Sequence, residues 1–143
     1  MACLNREQIM EVIPHRDPFL LIDEVEELEP GIRAVAKKHL SEDDYWFKGH
    51  FPGAPVQPGV LTIEMLAQTG AVCALSLEEN KGKTAFFGGI DKAKFRRMVK
   101  PGETLTLSVE FIKTRGNIVV GKGVATVDGE KAVSCEFTCI IGE

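Results

Sequence analysis

Two side chains of the 143-residue chain combine type and setting in a way that suits proton transfer, His50 and Glu64. His50 lies in KGHFPGAPVQPG, a segment punctuated by Pro52, Pro55, Pro58 and several glycines. Proline fixes φ and glycine opens unusual backbone paths, so such a loop is stiff and shaped rather than slack. A lone loop histidine is ordinarily exposed or locally bonded, but a rigid mount for a titratable ring favours a use. Glu64 interrupts the almost wholly apolar stretch Pro58 to Leu77. Gln68 follows one helical turn later on the same face, with the small residues Ala67 and Ala71 beside them, so the stripe is a polar notch with room next to it. Burial disfavours the charged carboxylate and keeps such a glutamate protonated towards neutrality; a salt bridge to an arginine is the other reading. A protonated glutamic acid facing a neutral imidazole is an acid/base pair, each member worth about 10²–10⁴ in rate when positioned. The backbone N–H of Gly59, at the start of the same helix, is suited to developing negative charge. Base, acid and oxyanion donor together fit removal of a proton α to a carbonyl with loss of a β-hydroxyl. His15 and His39 have no ligand spacing to match, so neither a metal nor another cofactor is expected.

Something must hold these groups. Pro58–Gly59 suits a helix start, where the first N–H groups lack intrahelical partners, and the apolar residues that follow occupy every side of the wheel, so the helix is expected to be surrounded. Twenty largely apolar residues could just span a bilayer, yet an ionisable group near the centre costs about 2.5–3.5 kcal/mol or more, and the flanks carry no aromatic belt. The stretch reads as a core helix running to about Glu79. Ahead of it, Asn5 is an N-cap candidate for a short helix ended by Pro14, Phe19–Leu28 reads as a strand, and Ile32–Leu40 as its return with Ile32, Ala34 and Ala36 on one face. After it come a long strand from Thr84 to Met98 bent at Gly88–Gly89, the alternating segment Glu103–Arg115, and Ile118–Val127. Asp128–Gly129 then signals a two-residue hairpin into a last strand alternating Val133, Cys135, Phe137, Cys139 and Ile141. One-sided strands and an all-round apolar helix specify an α+β fold, a curved antiparallel sheet wrapped around the helix, as a single domain over 1–143. One such sheet leaves helix surface uncovered, which a second copy would cover.

Composition adds limits. The chain is 44% hydrophobic and 27% charged, ordinary for a globular domain, and no secretory signal is expected at MACLNREQ. Cys135 and Cys139 would lie on one strand face about 13 Å apart, too far to bridge; with a terminal Cys3 and a helical Cys73, reduced thiols in the cytoplasm are expected. The net charge of −4 is uneven. Residues 1–30 hold eight acids against Arg6 and Arg16, whereas 92–100 carries Lys92, Lys94, Arg96, Arg97 and Lys100 without an acid. The basic island reads either as a solvated strand edge or as a dock for an acidic partner. It is too short, on too acidic a chain, for nucleic acid.

The run GHFPGAPVQPGVLTIEMLAQ closely resembles the signature of the FabZ-type (3R)-hydroxyacyl-[acyl-carrier-protein] dehydratases of type II fatty acid synthesis. PHRDPFLLID (14–23) and GIDKAKFRRMVKPGE (89–103) are similar to that family too, so the resemblance covers essentially the whole chain. It implies a hot-dog fold, a homodimer that usually assembles as a trimer of dimers, and an active site shared across the dimer interface. His50 would then take the α-proton and Glu64 protonate or bind the departing hydroxyl. The Gly59 amide would polarise the thioester carbonyl, Gln68 steady Glu64 or the water, and the Val56 carbonyl orient the His50 ring. The tunnel for the acyl tail would run beside Ala67 and Ala71. The implied partner is acyl carrier protein, acidic and phosphopantetheine-bearing, which gives the 92–100 island a purpose with Arg96 and Arg97 as first choices. Met65 and Asp17 depart from residues frequent in the family, alanine and an aromatic respectively. A hot-dog thioesterase and a non-catalytic acyl-chain binding subunit are the competing readings. Chain-length preference and the isomeric state of Phe51–Pro52 are left open.

Overall fold

The computed structural model describes residues 4–142; Cys3 lies outside them. The chain runs α1 (Arg6–Val12), β1 (Glu24–Glu29), β2 (Arg33–His39), a 3₁₀ turn (Tyr45–Lys48), α2 (Gly59–Leu75), a second 3₁₀ turn (Glu78–Asn80), β3 (Thr84–Phe95), β4 (Thr104–Arg115), β5 (Ile118–Val127) and β6 (Glu130–Gly142). All strand pairs are antiparallel, and the order across the sheet is β1-β2-β4-β5-β6-β3. The expected α+β hot-dog architecture is the observed one.

Local chemistry accounts for most boundaries. Asn5 caps α1 through a capping box with Gln8, each side chain satisfying the other's backbone N–H. Asp128 and Gly129 both have positive φ, the requirement of the tight hairpin that joins β5 to β6. Alternation in β4, β5 and β6 places Leu105, Leu107, Val109, Ala125, Val133, Cys135, Phe137 and Ile141 in the core. Every residue of α2 from Thr62 to Leu75 is buried except Glu64.

Four boundaries depart from the expected ones. Residues 19–22 are not part of β1, because their backbone groups bond to side chains instead: Gln68 serves Phe19 O and Leu21 N–H, and Arg6 serves Leu20 O and Ile22 O. β2 starts at Arg33, leaving Ile32 57% exposed while Ala34 and Ala36 are buried. α2 stops at Leu75 rather than near Glu79, since Ser76 Oγ donates to Val72 O and Asn80 Nδ2 to Ala74 O, closing off the last carbonyls. β3 ends at Phe95 and carries two irregularities, at Phe87/Gly89 and at Asp91/Lys94. The cis bonds are Asp17–Pro18 and His50–Phe51, so a cis bond lies one residue before Phe51–Pro52.

The sheet can close on α2 because glycine clears the way for one large ring. A Cβ on Gly70 of α2 would stand 3.0 Å from the Phe137 ring, and one on Gly121 of β5 would stand 2.9 Å from it. Phe137, 2% exposed, is therefore wedged between helix and sheet. Phe137→Ala should lose about 3–5 kcal/mol of stability, read by urea denaturation at fixed protomer concentration. A loss below about 1 kcal/mol would show that the site collapses freely and that the ring is no wedge.

Candidate active site

Glu64 owes its setting to α2. Its neighbours along the helix are buried, and its side chain keeps 18% of its surface in a cavity of about 180 Å³ lined also by His15, Ala67, Gln68, Ala71, Phe87 and Cys139. Burial pushes the Glu64 carboxyl above the ordinary glutamate value, against the smaller opposing effect of the Gln68 hydrogen bond. Gln68 is fully buried, and its amide orientation is dictated by the backbone of 19–21. Its Oε1 accepts from Leu21 N–H at 2.9 Å; its Nε2 donates to Phe19 O at 2.8 Å and to Glu64 Oε2 at 3.0 Å. Flipping the amide would break all three bonds, so Gln68 can only present a donor to Glu64.

His50 is mounted as the composition of its loop suggests. Val56 N–H donates to His50 O, His50 N–H to Trp46 O, and Phe51 and Ala54 exchange backbone bonds. Gln57 ties the loop to its surroundings by donating its N–H to Val99 O and accepting from Trp46 Nε1. The ring stacks on Phe51, and its Nδ1 lies 2.7 Å from Val56 O. A carbonyl can only accept, so Nδ1 carries the proton and the lone pair of the neutral ring is on Nε2, the form a base requires.

Gly59 opens α2, and its N–H makes no hydrogen bond among the described residues, as expected of a first-turn donor. A Cβ there would fall 2.5 Å from the Phe95 ring, so only glycine admits this approach. Ala67 and Ala71 line the Glu64 cavity as expected from the notch. His50 does not line it; within one chain the structure unites Glu64, Gln68, Ala67 and Ala71, and separately His50 and Val56. The basic island divides as well. Arg97 is held by Glu103 and Glu130, and Lys92 lies 3.4 Å from Glu136, whereas Lys94, Arg96 and Lys100 are exposed without an ion pair among the described residues.

His15 was not singled out by the sequence, yet its Nε2 stands 3.6 Å from Glu64 Oε2. The signal was present: like His50 it sits between prolines, Pro14 and Pro18, but nothing along the chain says which element a braced loop will face. The approach has the distance of an ion pair. Burial lowers the His15 pKa and raises that of Glu64, however, so both shifts disfavour the charged forms that an ion pair would need.

The described residues include no group of three or more His, Cys, Asp or Glu placed to hold a metal, and no helix long and apolar enough to cross a membrane. Cys73, Cys135 and Cys139 are buried free thiols, each raised by burial to about 11.

Comparison with solved structures supports the fold alone. The dehydratase heterocomplex ApeI:P from Xenorhabdus doucetiae aligns with a TM-score of 0.81 at 16% identity, over 94% of this chain and 91% of that one. A hypothetical thioesterase from Streptococcus pneumoniae TIGR4 aligns at 0.65 and 14%, over 83% and 85%. Sequence comparison goes further. The FabA-like domain model matches residues 13–136. Proteins named 3-hydroxyacyl-[acyl-carrier-protein] dehydratase FabZ are 58% identical in Clostridium novyi (98% of this chain, 99% of that protein), 58% in Enterococcus faecalis (97% and 99%) and 54% in Bacillus subtilis (98% and 99%). Identity at this level over 97–98% of its length means that the chain belongs to the FabZ 3-hydroxyacyl-[acyl-carrier-protein] dehydratase family of FabA-like domains.

Proposed function

We propose that this chain dehydrates 3-hydroxyacyl groups carried on acyl carrier protein to the trans-2-enoyl thioesters of fatty acid biosynthesis. The observation that carries the reading is the half-buried Glu64, its pKa raised by burial, held by Gln68 on a helix whose N-terminus offers a Gly59 N–H without a partner among the described residues. His50 Nε2 removes the α-proton, and the electron pair of that C–H bond becomes the new C=C bond. The Gly59 amide stabilises the charge that develops on the thioester oxygen. The β-C–O bond breaks towards oxygen, and Glu64 supplies the proton that lets it leave as water. A proton passed back from the imidazolium to the carboxylate resets the pair.

The pair is completed by a second copy. β3 is an edge strand with only β6 beside it, and it exposes Phe86, Phe87, Ile90 and Phe95 at 41–55%. An apolar, unpaired edge of that length invites pairing with its own kind. Phe86 and Phe87 also line the Glu64 cavity, so a partner laid along β3 stands next to the acid and can bring its own His50 to it. We take this homodimer as the catalytic unit and a homohexamer, a trimer of dimers, as its assembly. The free thiols fit a reducing compartment, which we take to be the cytoplasm.

The test is the product. Incubated with a 3-hydroxyacyl thioester of acyl carrier protein, the protein should generate enoyl-thioester absorbance without releasing thiol; thiol release would make it a thioesterase, and neither signal a binding subunit. Docking of the acidic carrier is assigned to Lys94, Arg96 and Lys100, the island's unpaired cations. Arg96→Glu should raise KM for the carrier-bound substrate about tenfold, with kcat and the turnover of a pantetheine thioester nearly unchanged, because rim charges act on encounter. An equal effect on both substrates would remove Arg96 from the docking surface.

A further inference from the structure

The Glu64 cavity is lined by a histidine, His15, that the acid/base scheme leaves unused, and its surroundings define what it can do. His15 follows the C-terminus of α1, where the Arg16 guanidinium donates to Met10 O, Ile13 O and His15 O and so ties the segment down. The His15 Nδ1 is buried and has no hydrogen-bond partner among the described residues, while Nε2 points to Glu64 Oε2 at 3.6 Å. A neutral imidazole carries its proton on one nitrogen only. Placing it on Nδ1 would bury an N–H with no acceptor, a costly arrangement. Placing it on Nε2 leaves a bare lone pair at Nδ1 and aims an N–H at the carboxyl oxygen. The second tautomer is the cheaper one.

Oε2 then accepts from Gln68 Nε2–H at 3.0 Å and faces His15 Nε2–H at 3.6 Å, beyond hydrogen-bond length. An oxygen that accepts from one donor and faces another is a poor place for the acid's own proton, which is left to Oε1. Donor contacts in unliganded sites are often long and tighten as charge develops in the reaction.

We propose that His15 is a positioning residue for the dehydration. With Gln68 it makes Oε2 the fixed acceptor edge of Glu64, so that Oε1 carries the proton delivered to the departing hydroxyl, and it stabilises the carboxylate left behind. The inference rests on Glu64 being the acid.

Glutamine and asparagine at position 15 separate this role from simple packing. The amide nitrogen of glutamine reaches the place of Nε2; that of asparagine reaches only the place of Nδ1. His15→Asn should therefore lower kcat about tenfold or more with KM changed less than about threefold, because the lost donor acts on charge that appears in the transition state. His15→Gln should recover most of kcat. The pH profile moves too. Activity requires protonated Glu64 and is lost as pH rises through its pKa, so losing a donor to the carboxylate raises that pKa and shifts the alkaline limb upward in His15→Asn relative to His15→Gln. The groups around Glu64 other than His15 are Gln68 on its own helix and Cys139 on β6, with Arg16 beside His15. Of these, only Cys139 titrates on the alkaline side, and a Cys139→Ser background removes its contribution.

Equal kcat values and equal alkaline limbs in folded His15→Asn and His15→Gln proteins overturn the proposal. Glu64→Gln is assayed alongside. If it too retains full activity, the acid assignment has failed rather than the inference about His15 alone. If it is inactive while the two position-15 variants match wild type, only the inference has failed.

Discussion

His50→Ala and Glu64→Ala, each inactive alone, should restore about a quarter of wild-type dehydration when co-expressed in equal amounts, because random pairing makes half the dimers mixed and each mixed dimer holds one complete site. The reason lies in the geometry of one chain. Glu64 looks into a cavity bounded by α2, β3, β6 and the His15 segment, and His50 is no part of its lining. The histidine is bound to its own loop through Val56 O, Trp46 O and the Phe51–Ala54 exchange, which fix it outside that lining. On the proposed dimer, a partner docked on the β3 edge would offer a second His50 from outside. Each single variant should lose about 10²–10⁴ in kcat, the range for a positioned acid or base, while remaining folded. In the mixed dimer, the chain with alanine at 50 still supplies Glu64 and its partner still supplies His50, while the other site lacks both. If co-expression restores nothing although mixed dimers form, acid and base belong to one chain.

How much of this was legible in the chain follows from where structure is specified locally. β4 to β6 were readable because a two-residue period with one buried face admits one register only, and Asp128–Gly129 has a single favourable turn. α2 and its notch were readable because a charged residue among buried neighbours stands out. The failures occurred where one side chain overrules the backbone pattern. Phe19–Leu28 has the composition of a strand, but Gln68 reaches across from α2 and takes the peptide groups of Phe19 and Leu21, so pairing begins only at Glu24. Thr84–Met98 reads as one strand bent at Gly88–Gly89; the second irregularity, with Lys92 at positive φ, and the end at Phe95 come from register against β6, invisible in β3 itself. The sequence puts Arg96 and Arg97 side by side as first choices in the basic island, yet Arg97 is consumed by Glu103 and Glu130, the latter from the start of β6. His15 was overlooked for the same reason. Its partner is 49 positions away, and only folding makes them neighbours.

Glu64→Gln should be nearly inactive and, above neutral pH, more stable than the wild type. Loss of activity follows from removing the carboxyl proton assigned to the leaving hydroxyl, about 10²–10⁴ in kcat. The gain in stability follows from linkage. Burial raises the Glu64 pKa in the folded chain above its unfolded value of about 4.3, so between the two the native state binds more protons than the unfolded one. The slope of unfolding free energy with pH is then negative: the folded carboxyl costs nothing below the unfolded pKa, and stability is lost progressively as pH rises to the folded pKa. Glutamine keeps the shape and does not titrate, so the difference between variant and wild type should grow over that window and level off beyond it. Glutamine can also turn its amide oxygen to Gln68 Nε2, which keeps that hydrogen bond. Urea denaturation at a series of pH values, at fixed protomer concentration, reads the difference directly. A wild type that gains on the variant as pH rises would mean that Glu64 is ionised and paired in the native state, and an ionised Glu64 has no proton to give.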